Sequence, residues 1–224
     1  MLTKVSLLSK HPLFESLDLT DISFLAKSSI EREYSQGDIL AYSGDNWPYF
    51  FIIIKGCIEA LKMSMEGRNL MVGSFNSGDV FWGLAFFHEN EPTPITLQAK
   101  LASKIILWSK ETLQPIIMKN SKLSWEISRL MVTHMIRASA IVEGLAFQPV
   151  AGRVAAFLLE NYPNEKQPQQ RNLTLDEMAA RTGTTSEMVC RLLQKFAVSG
   201  AIEITRTEFS IVDRQKLETI SNKI

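Results

Sequence analysis

A glutamate and an arginine four residues apart, Glu187 and Arg191, are the side chains in this chain best suited to read a nucleic acid. On a helix, residues at this spacing lie on one face, a single turn apart. An arginine can donate two hydrogen bonds to guanine, and a glutamate can accept one from the amino group of cytosine. The same spacing also produces ordinary solvated ion pairs. The surrounding elements must decide between these two interpretations.

The segment LTLDEMAARTGTTSEMVCRLLQKF, residues 173–196, predicts two short helices that carry this pair. Thr174 and Glu177 fit a capping box at the start of the first helix. Gly183 suits the left-handed backbone of the tight turn that follows. Ala179, a small residue four positions before that glycine, allows two helices to approach closely. This spacing is typical of a helix-turn-helix.

The residues after this motif, AIEITRTEFSIVD at 201–213, predict a two-stranded wing with a turn near 206–208. A helix-turn-helix followed by a wing favours binding to double-stranded DNA. Acidic and basic residues are nearly balanced from residue 148 onward, so we expect a local basic footprint and modest non-specific affinity. The predicted DNA-contacting residues are Thr185, Ser186, Glu187, Cys190, Arg191 and Lys195 on the second helix, with Arg181 and Arg206 outside it, and Arg153 adds to the basic footprint.

Residues 31–108 predict short strands separated by glycine turns, as in a jelly roll or barrel. One stretch of this region, GDVFWGLAFFHENEPTPIT at 78–96, could line a cavity. The candidate effector pocket consists of Trp82, Gly83, Leu84, Phe86, Phe87 and Thr93, with Ser139 from the helix that follows. The alternative is that these aromatic side chains are simply core.

Residues 123–147 predict a long helix in which apolar or small residues recur at alternating spacings of four and three. This spacing is typical of a coiled-coil seam, so we expect the helix to pack on its own β domain and on a second copy. The predicted dimer seam is Ile127, Met131, His134, Ala138, Ile141 and Leu145. We interpret His134 as a packed neutral side chain rather than a ligand. The resulting domains are 1–121, 122–147 and 148–224.

Composition excludes several other classes of protein. The only cysteines among the 224 residues, Cys57 and Cys190, lie far apart and cannot build a zinc or iron–sulfur framework. The three histidines, His11, His88 and His134, fall on separate elements, which excludes a metal-dependent oxygenase site. No catalytic motif is present, so we expect no enzyme. The unbroken apolar runs are too short for a membrane helix and the N-terminus lacks signal-peptide features, which predicts a cytoplasmic protein without a membrane partner.

Over almost its whole length, the chain resembles the family of the cyclic-AMP receptor protein and the fumarate–nitrate-reduction regulator, the CRP/FNR family. The resemblance rests on HPLFESL at 11–17, the Gly-Asp pairs at 37–38, 44–45 and 78–79, FIIIKGCI at 51–58, LAFQPVAGRVAAFLL at 145–159 and the helix-turn-helix. It implies an α+β fold with an N-terminal β jelly-roll sensor domain of cyclic-nucleotide-binding type, a long dimerisation helix and a C-terminal winged helix-turn-helix. It also implies a bacterial transcription regulator that binds an inverted-repeat operator in double-stranded DNA as a homodimer and recruits or blocks RNA polymerase.

In the family's recognition helix, Glu187 and Arg191 match the two base-reading positions. Ser186 stands where the CRP branch has arginine, and Cys190 replaces the serine of the FNR branch. The resemblance implies a half-site with a central G·C pair in a TTGA- or TGA-like core.

The candidate pocket departs from the family's cyclic-nucleotide binders at the residues that hold the phosphate. Those proteins carry Gly-Glu-Leu and then an Arg-Ser pair, whereas this chain has 82–84 as Trp-Gly-Leu and 93–94 as Thr-Pro. No arginine lies between Gly78 and Lys100, so a buried phosphate would lack its main partner. Ala138 also stands where the binders often have a threonine that contacts the base. We therefore expect that cyclic AMP does not bind.

Other effectors stay open at the level of sequence. The four cysteines that hold an iron–sulfur cluster in the FNR branch are absent. Some relatives bind haem through His or Cys near this segment, which leaves a haem-based gas sensor through His88 as one alternative, with Cys57 on a predicted strand. An apolar or aromatic effector is another alternative. A third is a constitutive DNA-binding dimer whose sensor domain is vestigial and ligand-free.

Overall fold

The structure is a computed structural model that describes residues 4–163 and 167–222. Its contacts divide the chain into two compact units. One unit runs up to Lys62 and resumes at Gly73–Arg137, and the other combines Met63–Val72 with the chain from Ala138 onward. We call them the β unit and the winged unit. The long helix contributes residues to both, so the predicted three-part division stays a prediction.

The β unit alternates short helices with antiparallel strands. Its helices are α1 Lys4–Ser9, α2 Leu19–Ser28, α3 Leu84–Phe87, α4 Lys110–Lys119 and the long α5 Ser121–Phe147, with a 3-10 turn at Pro12–Phe14. Its strands are β1 Ile30–Tyr34, β2 Ile39–Ala41, β3 Tyr49–Lys55, β4 Cys57–Met63, β5 Asn69–Asn76, β6 Val80–Trp82, β7 Thr96–Ala99 and β8 Ser103–Ser109. The strands form two four-stranded sheets, in the orders β1-β8-β3-β6 and β2-β7-β4-β5.

The three Gly-Asp pairs build three turns of the same design. The glycines at 37, 44 and 78 have φ angles of 93°, 96° and 91°, which a residue with a Cβ rarely adopts. The aspartate after each glycine accepts a hydrogen bond from the backbone N–H three residues before it, at 2.7 Å in every case. The side chain therefore closes the turn that the glycine permits. The predicted glycine turns between strands are confirmed.

The core of the β unit fills the space between the sheets and the helices. Phe50, Ile52, Ile106 and Trp108 from β3 and β8 are buried together with residues of α1, α2, α4 and α5. The indole N–H of Trp108 donates to the carbonyl of Leu25 at 2.8 Å, so the largest core side chain is also hydrogen-bonded.

The winged unit contains the predicted DNA-binding motif. Beyond α5 its helices are α6 Val150–Asn161, α7 Leu175–Thr182, α8 Ser186–Val198 and α9 Arg214–Ser221, and its strands are β9 Gln169–Gln170, β10 Ile202–Ile204 and β11 Glu208–Ile211. The strands form one antiparallel sheet in the order β10-β11-β9. The predicted order of a β domain, a long helix and a winged helix-turn-helix is confirmed.

Candidate nucleic-acid interface and candidate effector cavity

Capping interactions fix the two helices of the helix-turn-helix. The Thr174 side chain accepts from the N–H of Glu177 while the Glu177 side chain accepts from the N–H of Thr174, which is the predicted capping box. Gly183 ends α7 in the left-handed conformation, with φ 63° and ψ 45°. The Thr185 hydroxyl then accepts from the N–H of Met188 at 3.2 Å and starts α8. The backbone of the motif is thereby set by local hydrogen bonds on both sides of the turn.

The buried face of α8 determines which side chains are left for a partner. Val189, Leu192, Leu193 and Phe196 are buried in the core of the winged unit. On the opposite side, all the predicted contact residues of the helix remain at least partly accessible: Ser186, Glu187, Cys190, Arg191 and Lys195. The predicted base-reading side chains therefore share one accessible face.

Glu187 and Arg191 form an ion pair in the free protein. Their N–O distance is 2.7 Å, and their side chains are 81% and 65% exposed. An exposed pair of this kind contributes at most about 1 kcal/mol. Both side chains can therefore exchange this contact for hydrogen bonds to base edges at little cost.

The wing places Arg206 at the tip of a tight hairpin. Strands β10 and β11 pair from Ile202↔Ile211 to Ile204↔Phe209, and the N–H of Thr205 bonds the carbonyl of Glu208 at 2.9 Å. Arg206 is exposed in the turn between them, where the sequence placed it. The third strand, β9, was not predicted because its two glutamines lie in a polar loop with no alternating pattern.

Arg153 does not belong to the basic footprint, and that prediction is wrong. Its guanidinium is partly buried and donates to the carbonyls of Gln148 at 2.6 Å and Thr182 at 2.8 Å, with longer bonds of 3.4 Å to Gly144 and Gly183. Burial lowers its pKa from the usual value. Arg153 therefore joins the C-terminal end of α5 to the turn of the helix-turn-helix. No sequence signal separates this role from that of a surface arginine.

In the β unit, an aromatic stack occupies the middle of the candidate pocket. The indole of Trp82 lies between the rings of Phe50 and His134, at centroid distances of 5.8 and 5.1 Å and an interplanar angle of 10° in both cases. Phe86 is buried against Phe50, and Phe87 meets Trp82 edge-on. Four residues of this region and His134 therefore pack on one another as an aromatic cluster.

Two further residues of the candidate pocket are committed to the protein itself. A Cβ on Gly83 would collide with the carbonyl oxygen of Trp47, so a larger residue there would strain the fold rather than fill a cavity. Thr93 is buried, and its backbone N–H donates to the carbonyl of Asp45 at 2.9 Å. Leu84 is 40% exposed, and Ser139 is exposed on α5. A phosphate would find neither an arginine nor a free N–H on Thr93.

His134 is packed within its own chain, as the sequence predicted. Its ring stacks on Trp82 and also contacts Phe75 at a centroid distance of 5.6 Å. Burial lowers the pKa of His134, the charge of Arg137 lowers it further, and Asp79 opposes both effects. The imidazole is therefore disfavoured as a cation and serves as an aromatic packing group.

The predicted dimer seam and the exposed apolar face of α5 coincide only in part. Ile127 is buried in the core of its own β unit, and Met131 is partly buried against the same core, so the seam as a whole stays a prediction. Ile141 and Leu145 line a cavity of about 280 Å³ within the winged unit, and Ala138 is exposed. The large apolar side chains that α5 leaves exposed are Trp125, Val132, Met135, Ile136, Val142, Leu145 and Phe147. We call the first five of these residues the exposed stripe.

The remaining candidate ligands lie apart. His11 is bonded through its two ring nitrogens to the carbonyl of Gly78 and the N–H of Leu13. His88 is exposed, 3.8 Å from Glu91, and Cys57 is buried with its sulfur 3.3 Å from the Ser74 hydroxyl. Within the described ranges, no three His, Cys, Asp or Glu side chains are grouped to hold a metal ion.

Comparison with protein families gives two matches along the chain. Residues 31–120 match the family described as "Cyclic nucleotide-binding domain", and residues 152–220 match the "Crp-like helix-turn-helix domain". The two matches follow one another in the order of the folded units.

Named relatives match most of the chain. The chain is 26% identical to the cAMP-activated global transcriptional regulator Vfr of Pseudomonas aeruginosa over 181 residues, which cover 77% of this chain and 85% of Vfr. It is 23% identical to a CRP-like cAMP-activated global transcriptional regulator of Mycobacterium tuberculosis over 219 residues, which cover 94% and 96% of the two chains. Among solved structures, a transcriptional regulator of Eubacterium rectale superposes with a TM-score of 0.79 at 20% identity, covering 95% of this chain and 98% of that one.

Proposed function

Because the chain belongs to the CRP/FNR family of transcription regulators, we propose that it is a homodimer that reads inverted-repeat DNA through α8 and does so without a cyclic nucleotide. The observation that carries the proposal is the accessible face of α8, where Glu187 and Arg191 lie one turn apart above a fully buried apolar face. We infer that the protein acts in the bacterial cytoplasm, where it recruits or blocks RNA polymerase.

On DNA, each α8 lies in the major groove with its first two turns toward the base edges. Arg191 donates to guanine, and Glu187 accepts from the amino group of the paired cytosine or its neighbour. Thr185, Lys195, Arg181 and Arg206 contact the phosphate backbone. These four set the position of the helix, and the pair on α8 supplies the sequence preference.

Dimerisation through α5 is supported by the exposed stripe. The stripe follows the heptad spacing of a two-stranded coiled coil, since seven positions separate Trp125 from Val132, three separate Val132 from Met135, and seven separate Met135 from Val142. Ile136 follows directly after Met135. By length and composition α5 could also cross a membrane. Its charged residues, among them Glu126, Arg129 and Arg137, make a span costly, whereas a second copy covers the stripe and leaves these charges in water.

The proposal that no cyclic nucleotide binds rests on the aromatic stack. The relatives Vfr and the Mycobacterium tuberculosis regulator are named as cAMP-activated, but in this chain the candidate pocket contains the indole of Trp82 stacked on Phe50 and on His134, which supports the proposal. The buried loop at Thr93 offers no cation to a phosphate. A desolvated phosphate without a charged partner is strongly unfavourable.

Selection of DNA from a random pool tests the proposal. The purified full-length protein, without added nucleotide, should enrich an inverted repeat whose half-site centres are about 10 bp apart. Enrichment of single, unpaired half-sites would contradict the dimer. A failure to enrich any sequence would contradict sequence-specific DNA binding without a cofactor.

A further inference from the structure

A hydrogen bond connects the two helices of the helix-turn-helix at the surface that the proposed function places on DNA. The hydroxyl of Ser186, the first residue of α8, donates to the Oδ1 atom of Asp176 in the first turn of α7. Asp176 is exposed and Ser186 is partly exposed. Ser186 is one of the contact residues predicted from the sequence, and Asp176 is not.

The backbone holds both members of this pair in place. Thr174 and Glu177 form the capping box on either side of Asp176, and Thr185 caps α8 directly before Ser186. Asp176 also lies where a helix favours a negative charge, at its N-terminal turn. The backbone of the motif therefore holds these two short side chains close to each other.

The bond changes what Ser186 can recognise. A serine hydroxyl ordinarily donates one hydrogen bond and accepts others, so it discriminates poorly between bases. A carboxylate only accepts, so the contact with Asp176 uses the hydroxyl hydrogen. The oxygen of Ser186 then presents only lone pairs to an approaching partner.

We propose that Asp176 is a specificity-determining residue, which turns Ser186 into an acceptor that selects adenine or cytosine on one strand of each half-site. In the major groove these bases offer amino hydrogens, whereas guanine and thymine offer only acceptor atoms to a hydroxyl oxygen. The inference rests on the proposed placement of α8 in the major groove.

A phosphate contact by Ser186 is the competing role, and the same bond opposes it. A serine hydroxyl contacts a phosphate by donating its hydrogen. In Ser186 that hydrogen is already donated to the carboxylate of Asp176. The carboxylate beside it also repels a phosphate at close range. The pair is therefore better suited to face base edges than the DNA backbone.

The test measures base preference at every half-site position with a randomised DNA library, for the full-length protein and five variants. In Asp176→Asn the amide can donate to the Ser186 oxygen, which frees the hydroxyl hydrogen. We expect the preference for adenine or cytosine to fall about three- to tenfold at a single position, the size of one hydrogen bond. Ser186→Ala should lose the preference at that same position, and the double variant should match Ser186→Ala. Glu160→Gln, which removes a charge on α6, should leave every position unchanged.

Three results would overturn this role of Asp176. One is an unchanged profile in Asp176→Asn, and another is a profile of Ser186→Ala identical to that of the wild type. The third is a further change when Asp176→Asn is added to Ser186→Ala, since Asp176 would then act on DNA directly. Arg191→Ala separates this inference from the proposed function. If that variant alters a different position while Asp176→Asn alters none, α8 still reads DNA and only the role of Asp176 fails.

Discussion

The winged unit and the β unit keep their family architecture by different means. In the winged unit, the residues that define the fold and those that would contact DNA lie on opposite faces of α8, so both are retained together. In the β unit, three Gly-Asp turns and the buried strands hold the fold, while Trp82 of the candidate pocket stacks on Phe50 and on His134. A fold is preserved by its turns and core, whereas binding depends on a few side chains that can change without disturbing either.

The largest expected effect comes from disrupting the proposed dimer, which would bring two copies of the winged unit to one operator. Ile136→Asp places a charge on the exposed stripe and should yield monomers. Because a monomer engages one half-site, its affinity for the inverted repeat should fall at least about a hundredfold, within the gap between specific and non-specific binding. Light scattering measures the mass, and fluorescence anisotropy measures the DNA affinity.

Ile141→Asp is the matched control for this change. Ile141 is partly buried in the winged unit and belongs to the seam predicted from the sequence. The variant should remain dimeric, although less stable. If Ile141→Asp were monomeric and Ile136→Asp were dimeric, the seam predicted from the sequence would hold the dimer instead of the exposed stripe.

A change on the recognition helix should have the next largest effect. Arg191→Ala should weaken binding to the selected operator by about 1–3 kcal/mol and relax the preference at one base pair. Lys195→Ala should weaken all sequences alike and reduce the salt dependence, as loss of a phosphate contact does. An Arg191→Ala variant with an unchanged sequence profile would show that α8 is not the reading element.

In the β unit, Gly83→Leu should reduce stability rather than fill a cavity. Its side chain would meet the Trp47 carbonyl, and overpacking of this kind costs about 1–3 kcal/mol. Thermal unfolding should show a melting temperature several degrees lower. A variant as stable as the wild type would mean that the pocket is open at this position.

The smallest expected effect is a pH dependence from His134. The folded protein lowers the pKa of this imidazole below 6.5, so the unfolded chain binds the proton more readily. Stability from this group is therefore fully present above pH 6.5 and decreases as the pH falls below it. The wild type should lose roughly 1–3 °C more in melting temperature than His134→Gln between pH 7.5 and 5.5. If the melting temperatures of both proteins fell by the same amount, protonation of His134 would not account for the loss of stability.

The parts of the molecule that were predictable from sequence depend on local signals. The capping box at Thr174, the left-handed Gly183 and the Gly-Asp turns each define a few neighbouring residues, and the structure has all of them. The dimer face was less predictable because α5 is apolar on two sides. Periodicity alone could not decide that Ile127 faces its own β unit while Val132 stays exposed.

The chemistry of single side chains was also beyond the sequence pattern. Arginine is a residue type that often contacts DNA, yet the guanidinium of Arg153 donates to four backbone carbonyls. The missing arginine of the pocket was visible in the sequence, but the stacking of Trp82 against His134 joins residues far apart in the chain. Contacts of this kind depend on the tertiary arrangement of the unit.

The most direct test of the difference between the two units is the affinity of the full-length protein for its selected operator, measured with and without millimolar cyclic AMP or cyclic GMP. We predict the same dissociation constant in all three conditions, because Trp82 stacks on Phe50 in the candidate pocket and no arginine lies between Gly78 and Lys100 to hold a phosphate. The melting temperature should also be unchanged, although a ligand at a hundred times its dissociation constant would add about 2.7 kcal/mol of stability. A tenfold or greater tightening of DNA binding by either nucleotide, accompanied by a melting shift of several degrees, would contradict this account.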